Sequence, residues 1–397
     1  MAGGFSKARL KRLSAGMRAL VDQGKVGGLV YALSRRDQLH VEAFGSLDLP
    51  GQDGAQRPVN RDSLFRIASM TKPVTAVAAM LLVEQGRLKL DQPIDRLLPE
   101  LKDQRVLKAV GGPLADTVPA RRPPTLRDLL TFLWGLGMIL PFGGRKPIQV
   151  ALKESGVDVG AFGPDLEPDE VVRRFATLPL AYQPGEHWLY HSAYDVLPVL
   201  IGRATGQDFG SFLQDHLFGP LGMRDTGFAV PKAELARLAA ALRFDYPTGR
   251  QVLFEDQRHA VKPTGSTGLV STADDYLAFG RMMLRWGRHG AERILARPTV
   301  ELMVTDQLSQ AVKDVSEFAP GFWDNQGFGF GMAVQTRRRD SYFQPGTYGW
   351  DGGLGTAWRS DPKEDLVGVL LTNRAMDGPG SSLFGEFWTL AYQAIDD

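Results

Sequence analysis

The sequence predicts an α+β protein in which one antiparallel sheet, flanked by helices, is built from both ends of the chain and a mostly helical domain is inserted between them. Strand-like segments occur near both ends of the chain. The interval 70–284 instead shows helical periodicity, broken by joints rich in proline and glycine. We therefore expect a sheet domain from residues 1–69 and 285–397, a helical domain from residues 70–284, and a ligand cleft at their seam.

The elements of the sheet domain follow from the spacing of apolar residues. A first helix is indicated by apolar side chains at steps of three and four residues, namely Leu10, Leu13, Met17, Leu20 and Val21. Residues 28–45 form the pattern of a hairpin around a polar turn. Near the other end, the pattern predicts strands at residues 328–335, 350–359 and 366–372 and a final helix at residues 382–395.

Composition narrows the range of functions. The chain contains no cysteine, which excludes disulfides, a thiolate nucleophile and cysteine-ligated metal centres. Its 46 basic and 45 acidic residues give a formal net charge of +1, so no general field attracts a polyanion and we expect no nucleic-acid partner.

The longest apolar run, residues 74–83, is about half of a bilayer span, which predicts a buried helix. Because the start of the chain lacks an apolar stretch of signal-peptide length, we expect a cytoplasmic protein with no membrane partner.

Several common catalytic motifs are absent from the sequence. It has no G-x-S-x-G, H-E-x-x-H, G-x-x-x-x-G-K-[ST] or G-x-G-x-x-G pattern. His187 and His191 have a spacing that suits two metal ligands on one helical face, but Pro184 and Gly185 argue against a helix there, and no third ligand is evident. We expect neither a metal nor a cofactor.

Ser69 and Lys72 form an S-x-x-K pattern that suits a nucleophile and its base. The apolar run that follows them predicts a helix, which would place both side chains on one face and lower the pKa of the lysine by burial. The alternative is a capping serine beside a solvated lysine. The pattern occurs again at Ser360 and Lys363, where the sequence predicts a polar turn and no helix that would bury the lysine.

Two further segments contain candidate catalytic groups. Tyr190 begins the only Y-x-[SN] pattern of the chain, and a tyrosine beside a lysine ammonium can act as a base in its phenolate form. A half-buried core tyrosine is the alternative. The glycines within residues 350–356 indicate a bare strand edge that offers a backbone N–H to an oxyanion, although a bulge or a bend explains them equally well.

In this order, these motifs resemble those of the serine β-lactamase-like superfamily, which includes class C β-lactamases, D-alanyl-D-alanine peptidases and family VIII carboxylesterases. The resemblance extends over about residues 26–377 and implies the same two-part fold as the pattern of elements. The segments that carry it are Ser69 to Lys72, residues 88–94, Leu126 to Thr131, Tyr190 to Ser192, residues 220–223, residues 268–276 and Trp350 to Thr356.

The resemblance implies a role for each matching residue. Ser69 would be the acylated nucleophile, Lys72 its hydrogen-bonded base and Tyr190 the second proton-transfer residue. The oxyanion hole would consist of the backbone N–H of Ser69 and a second one from the strand near Gly353. An ester would then be cleaved through an acyl-enzyme that water hydrolyses.

Departures from the family pattern point to its esterase branch. Lactamases and peptidases carry a cationic Lys-Thr-Gly or His-x-Gly in the third motif, whereas this chain has Trp350, Asp351 and Gly352. A neutral or acidic site disfavours an anionic substrate, although Arg359 could supply a substitute cation. In the second motif, Ser192 stands where lactamases usually have asparagine.

A further departure follows Thr131, where the family often reads His-Thr-Ser-Gly-Leu. This chain has bulky apolar residues there, including Phe132 and Trp134. They suggest a hydrophobic wall of the cleft, and core packing explains them equally well.

The leading hypothesis is therefore a serine hydrolase that acts on small carboxylic esters with apolar acyl groups. A β-lactamase, D-aminopeptidase or amidase of the same superfamily is the alternative. A non-catalytic binding or sensor protein on the same scaffold is a third hypothesis, which the intact Ser69, Lys72 and Tyr190 disfavour.

Overall fold

A computed structural model of the chain describes residues 4–49, 56–140, 144–157, 163–378 and 382–397. Its helices are α1 Lys7–Asp22, α2 Thr71–Glu84, α3 Leu126–Leu130, α4 Pro147–Glu154, α5 Pro168–Ala176, α6 Ala193–Thr205, α7 Phe209–Leu213, α8 Gly219–Leu221, α9 Ala273–Leu284, α10 Arg297–Met303, α11 Gln310–Val315 and α12 Gly385–Gln393. Its strands are β1 Gly4–Phe5, β2 Gly28–Arg35, β3 Gln38–Gly45, β4 Phe65–Arg66, β5 Arg105–Leu107, β6 Thr117–Pro119, β7 Leu242–Asp245, β8 Arg250–Leu253, β9 Val270–Ser271, β10 Arg288–His289, β11 Glu292–Arg293, β12 Gln326–Phe328, β13 Ala333–Gln335, β14 Tyr348–Gly352, β15 Thr356–Asp361, β16 Leu366–Thr372 and β17 Ile395–Asp396.

Seven strands form the main sheet, in the order β12-β13-β14-β15-β16-β2-β3, and all neighbouring pairs in it are antiparallel. A hairpin from the start of the chain thus joins five strands from its end. The two parts meet where β2 pairs with β16, with Leu29 opposite Thr372 and Arg35 opposite Leu366. The prediction of an α+β fold with one antiparallel sheet built from both chain ends is confirmed.

Different helices cover the two faces of the sheet. β2 is buried along its whole length, because its side chains alternate between two covered faces. On one face, Tyr31 packs in a cluster with Leu13 and Met17 of α1 and with residues of α12. On the other face, Val30 and Ala32 belong to the large core that includes α2, α6 and α9. The apolar spacing of the first helix therefore identified the side that faces the sheet.

Between the two parts of the sheet most of the regular elements are helices, joined by turns and loops, and short two-stranded sheets are formed by β4 and β9, β5 and β6, β7 and β8, and β10 and β11. Residues Thr71 to Met80 of α2 are all buried, as their apolar composition predicts. The domain boundaries at residues 69/70 and 284/285 stay predictions. Among the described residues, the helices are too short or too polar to cross a membrane.

Two segments predicted as single strands are in fact hairpins. Residues 328–335 divide into the end of β12 and β13, around a turn in which Gly331 has a φ of +77°. Residues 350–359 divide into β14 and β15, around a turn in which Gly355 has a φ of +94°. The single-strand predictions were wrong because glycine in this conformation reverses the chain while the apolar pattern continues.

Candidate active site

Ser69 lies in a 3₁₀ turn, Ala68–Met70, that leads directly into α2. Ala68 and Met70 are buried, whereas Ser69 is half-buried and reaches solvent. Ala68 has a φ of +44°, a conformation that costs a residue with a Cβ roughly 1–3 kcal/mol. The surrounding structure holds this turn in place, since Thr356 Oγ1 donates a 3.1 Å hydrogen bond to the Ile67 carbonyl oxygen.

Lys72 lies next to Ser69, with its Nζ 2.9 Å from Ser69 Oγ. The α-helical step of three residues places both side chains on one face, and the Lys72 side chain is fully buried. Burial lowers the pKa of Lys72 to about 7, while the charge of Asp195 partly opposes this shift. Near neutral pH a large part of Lys72 is therefore an uncharged amine that can accept a proton.

Tyr190 completes the group around Ser69. Its hydroxyl accepts a 2.7 Å hydrogen bond from Trp350 Nε1, and Ser69 is among the groups that act on the pKa of Tyr190. Lys72 Nζ lies over the Tyr190 ring, 4.5 Å from its centroid. Burial raises the pKa of Tyr190, and the charge of Asp351 adds to the rise. The raised pKa favours the phenol over the phenolate that the sequence predicts, and the role of Tyr190 stays a prediction.

The glycine-rich hairpin of β14 and β15 packs against the turn that carries Ser69. A Cβ on Gly352 would lie 2.2 Å from the Ile67 carbonyl oxygen, so only glycine allows this close approach. Gly353 lies in the turn between the two strands, and not on a strand edge as predicted. A Cβ on Gly353 would meet no atom within 4 Å. The two predicted oxyanion donors, at Ser69 and Gly353, thus belong to segments that touch at Gly352.

Arg359 does not supply a cation to this group. Alternation along β14 sends Asp351 to the face of the sheet opposite Trp350. There Arg359 Nη1 lies 2.6 Å from Asp351 Oδ1, and Nη2 lies 3.0 Å from Oδ2. The Arg359 guanidinium also lies over the rings of Phe343 and Trp388, near α12. The prediction that Arg359 supplies a substitute cation is therefore wrong, because the Arg359 charge is paired with Asp351 on the far face of the sheet.

Phe132 and Trp134 do not line an open cleft, since both side chains are fully buried. The Phe132 ring packs on Tyr190, with centroids 5.1 Å apart, and supports that residue. Trp134 Nε1 donates a 2.9 Å hydrogen bond to Gln104 within the core. The predicted hydrophobic wall at these positions is wrong, and core packing explains both residues. Ser192, directly before α6, is buried as well.

The paired histidines have separate surroundings. The His187 ring stacks on Tyr182, with centroids 3.5 Å apart, whereas His191 contacts Lys72. In the part of the chain that the structure describes, no three side chains of metal-binding type form a group that could hold a metal ion.

The second S-x-x-K pattern is also placed differently from its prediction. Ser360 is a fully buried residue of β15, and Lys363 is exposed in the turn that follows. The prediction that Ser360 lies in a polar turn is therefore wrong, because β15 continues two residues beyond the expected strand end. Lys363 does lie in a turn, as predicted.

Sequence reasoning missed the polar residues behind Lys72. The Ser266 carbonyl oxygen accepts a 2.6 Å hydrogen bond from Lys72 Nζ, and Asp195 provides the charge that acts on Lys72. Asp195 had a signal in the sequence, because it is a carboxylate in an otherwise apolar stretch of α6. Ser266 lies in a loop of small and polar residues with no comparable signal.

Comparison with known proteins identifies the family of the chain. The family model described as Beta-lactamase matches residues 13–382. The chain is 38% identical over 372 residues to Protein Rv1367c of Mycobacterium tuberculosis, covering 91% of this chain and 90% of the relative. It is 31% identical over 388 residues to Esterase EstB of Burkholderia gladioli, covering 92% and 90%.

A solved structure resembles the whole fold. This is EstCE1, described as a hydrolase with promiscuous acyltransferase activity, which matches with a TM-score of 0.79 at 25% identity and covers 97% of this chain and 99% of its own. The predicted β-lactamase-like fold is thereby confirmed. Since the family model and these relatives extend over nearly the entire chain, the protein belongs to the Beta-lactamase family, which here includes an esterase among its relatives.

Proposed function

We propose that the protein is a serine carboxylesterase that cleaves small esters through an acyl-enzyme on Ser69, with Lys72 as its base and Tyr190 as the second proton-transfer group. The observation that carries the proposal is the 2.9 Å contact between Ser69 Oγ and Nζ of the fully buried Lys72. A serine that reaches solvent and has an uncharged amine beside it is suited to act as a nucleophile.

Acylation begins when Ser69 Oγ attacks the ester carbonyl carbon and the hydroxyl proton passes to Lys72 Nζ. The carbonyl oxygen becomes an oxyanion, which the backbone N–H groups of Ser69 and Gly353 would stabilise. The bond to the alcohol oxygen then breaks. That oxygen takes a proton from the Tyr190 hydroxyl, and the proton held by Lys72 replaces it.

Deacylation repeats these transfers with water. Water attacks the acyl carbon, one of its protons passes to the Lys72 and Tyr190 pair, and Ser69 Oγ leaves with a proton. One ester and one water thus give one acid and one alcohol. The raised pKa of Tyr190 suits this scheme, because a phenol can donate the proton that the leaving oxygen needs.

The surroundings of Tyr190 favour uncharged substrates with apolar groups. Its ring lies within 5.1 to 5.5 Å of the rings of Trp188, Phe318 and Trp350, measured between centroids. The Arg359 charge is paired with Asp351 on the other face of the sheet, so it does not attract a substrate carboxylate. Small esters are therefore favoured over β-lactams and peptides, which usually carry that carboxylate.

The test compares the wild-type protein with Ser69→Ala on p-nitrophenyl butyrate and on a chromogenic cephalosporin. We expect rapid ester hydrolysis, slow cephalosporin hydrolysis, and a loss of about 10³-fold or more in Ser69→Ala. Mass spectrometry after labelling with an aryl phosphonate locates the modified serine. Ester turnover that survives Ser69→Ala would disprove the nucleophile, and rapid turnover of the cephalosporin alone would disprove the substrate class.

A further inference from the structure

A line of buried polar side chains continues from Lys72 on the side away from Ser69. His191 Nδ1 lies 3.4 Å from Lys72 Nζ, and His191 Nε2 lies 2.9 Å from Ser266 Oγ. The Ser266 hydroxyl donates a 2.5 Å hydrogen bond to Asp195 Oδ1. His191 and Asp195 are only 4% and 3% exposed, and Ser266 is fully buried. Buried polar groups in this arrangement fix one another's protonation and orientation.

The directions of these hydrogen bonds decide where the His191 proton lies. Burial raises the pKa of Asp195 to about 6, so near neutral pH and above this side chain is mainly a carboxylate. A carboxylate only accepts, so the single hydroxyl proton of Ser266 is given to Asp195. The Ser266 oxygen must then accept from His191, which places the imidazole proton on Nε2. Burial and the charge of Lys72 hold the pKa of His191 well below its usual range, so the ring is neutral. His191 Nδ1 therefore presents only a lone pair to Lys72.

This tautomer has a consequence for Lys72. An uncharged amine has two N–H donors and one lone pair. The Ser266 carbonyl oxygen, at 2.6 Å, and His191 Nδ1, at 3.4 Å, can only accept, so they take the two donors. The lone pair is left for the third neighbour, Ser69 Oγ at 2.9 Å, from which it can receive a proton.

We propose that His191, fixed by Ser266 and Asp195, is a positioning residue that directs the Lys72 lone pair at Ser69 and couples the Lys72 ammonium to the Asp195 carboxylate. This inference rests on the proposed function and extends it to residues that act through the base. The His191 backbone supports it, because a φ of +84° is unfavourable for a residue with a Cβ and indicates that the ring is held in place by its surroundings.

The groups that face Lys72 determine the sign of the expected pH effect. Asp195 raises the pKa that burial lowers, and it is the carboxylate whose charge acts on Lys72. Tyr190 and His191 face Lys72 as neutral rings, and Asp351 acts on Tyr190. Removal of the Asp195 charge therefore lowers the pKa of Lys72 further, so its uncharged form persists to lower pH while becoming a weaker base.

The first experiment measures kcat/KM for p-nitrophenyl butyrate at about pH 5 to 9, because this constant reports the ionisations of the unbound enzyme. For Asp195→Asn and Ser266→Ala we expect the maximal rate to fall roughly 10- to 100-fold. We also expect the acid limb of the profile to move about half a unit or more to lower pH, in Asp195→Asn because the charge is removed and in Ser266→Ala because Asp195 loses a hydrogen bond that stabilises its ionised form. A variant that only disturbs packing around Lys72 would have a lower kcat/KM, with the acid limb of its pH profile unchanged.

The second experiment separates the acceptor function of His191 from its shape. Asparagine tolerates a positive φ and places an amide oxygen near the position of Nδ1, whereas phenylalanine keeps a ring without an acceptor. We expect His191→Asn to retain activity within about tenfold of wild type and His191→Phe to lose roughly tenfold more than that. His187→Phe, at the half-buried histidine that stacks on Tyr182, is the control and should leave the profile unchanged.

Equal losses in His191→Asn and His191→Phe, with an unmoved acid limb in Asp195→Asn and Ser266→Ala, would overturn the inference. Thermal unfolding identifies any variant that fails to fold. If the other variants do not fold, the pH profile of Ser266→Ala tests the inference, since this change removes one hydroxyl and leaves the backbone carbonyl that binds Lys72. Ser69→Ala, measured in the same series, distinguishes the two proposals. Activity in this variant contradicts the proposed function. Loss of activity in Ser69→Ala, together with unchanged pH profiles in Asp195→Asn and Ser266→Ala, contradicts only the role of His191.

Discussion

Two serines of this chain are followed three residues later by a lysine, and the structure gives them opposite surroundings. Ser69 reaches solvent, and its Lys72 is buried with Nζ 2.9 Å away. Ser360 is fully buried and donates a 3.1 Å hydrogen bond to the Gly280 carbonyl oxygen, while Lys363 is exposed. The same four-residue pattern therefore yields a serine and a lysine in contact in one region, and a buried serine apart from its exposed lysine in the other.

Secondary structure explains the difference. Residues three apart lie on one face of a helix, but on a strand they point to opposite faces. Ser360 is on β15 and Lys363 is in the turn after it, so the two side chains separate. A lysine that serves as a base must also be buried, because only a lysine removed from water loses its charge near neutral pH.

The largest effect should come from removing the two lysines in turn. Lys72→Met deletes the amine beside Ser69, and we expect kcat/KM for p-nitrophenyl butyrate to fall by about 10³-fold or more. Lys363→Met should leave kcat/KM unchanged, because that side chain is exposed. Equal activity of the two variants would show that neither lysine is the base.

Tyr190→Phe should have the next largest effect. The change removes the phenol proton and the hydrogen bond from Trp350 while keeping the ring under Lys72. We expect a loss of roughly 10²-fold in kcat, which stopped-flow measurement of acylation and deacylation can assign to either step. The control is Tyr392→Phe, which removes a buried hydroxyl that binds Asp361 near the second pattern and should spare kcat.

The close approach of β14 to the Ser69 turn gives a matched pair of glycine variants. A Cβ at Gly352 would lie 2.2 Å from the Ile67 oxygen, whereas one at Gly353 would meet no atom within 4 Å. Gly352→Ala should shift the turn and lower kcat/KM by roughly 10- to 100-fold. Gly353→Ala should change it by less than about threefold, and comparable losses in both would contradict the packing argument.

The pH profile tests the environment of Lys72 directly. The base must be uncharged to accept the Ser69 proton, and burial lowers the pKa of Lys72 to about 7. We therefore expect kcat/KM to rise with pH, about tenfold per unit below this value, and to level off above it. A rise that continues to about pH 10 would mean that Lys72 behaves like a solvated lysine.

The smallest effect on activity should come from Ser360→Ala. This change removes one hydrogen bond to the Gly280 oxygen and leaves Trp358 Nε1 without its partner, which should lower the free energy of unfolding by about 1–3 kcal/mol. Denaturant unfolding measures that loss, and kcat/KM of the folded variant should equal that of wild type. Lost activity at full stability would contradict the structural role of this serine.

Much of the fold and part of the site could be predicted because the signals are local. The apolar stripe of α1, the hairpin of β2 and β3 and the buried run of α2 are each contained within a short segment. The same holds for the spacing of Ser69 and Lys72. The errors arose where one local pattern fits two structures, as in the segments that became the β12–β13 and β14–β15 hairpins.

The sequence by itself therefore determined the sheet from both chain ends, the buried helix α2 and the pairing of Ser69 with Lys72, since helical and strand periodicity act over a few residues. Tertiary structure alone decided which groups surround that pair. Trp350 lies 160 residues from Tyr190 in the sequence, and Ser266 lies 194 residues from Lys72. Contacts at such separations depend on how distant segments pack, and the pKa of Lys72 depends on that packing because it sets both burial and the position of Asp195.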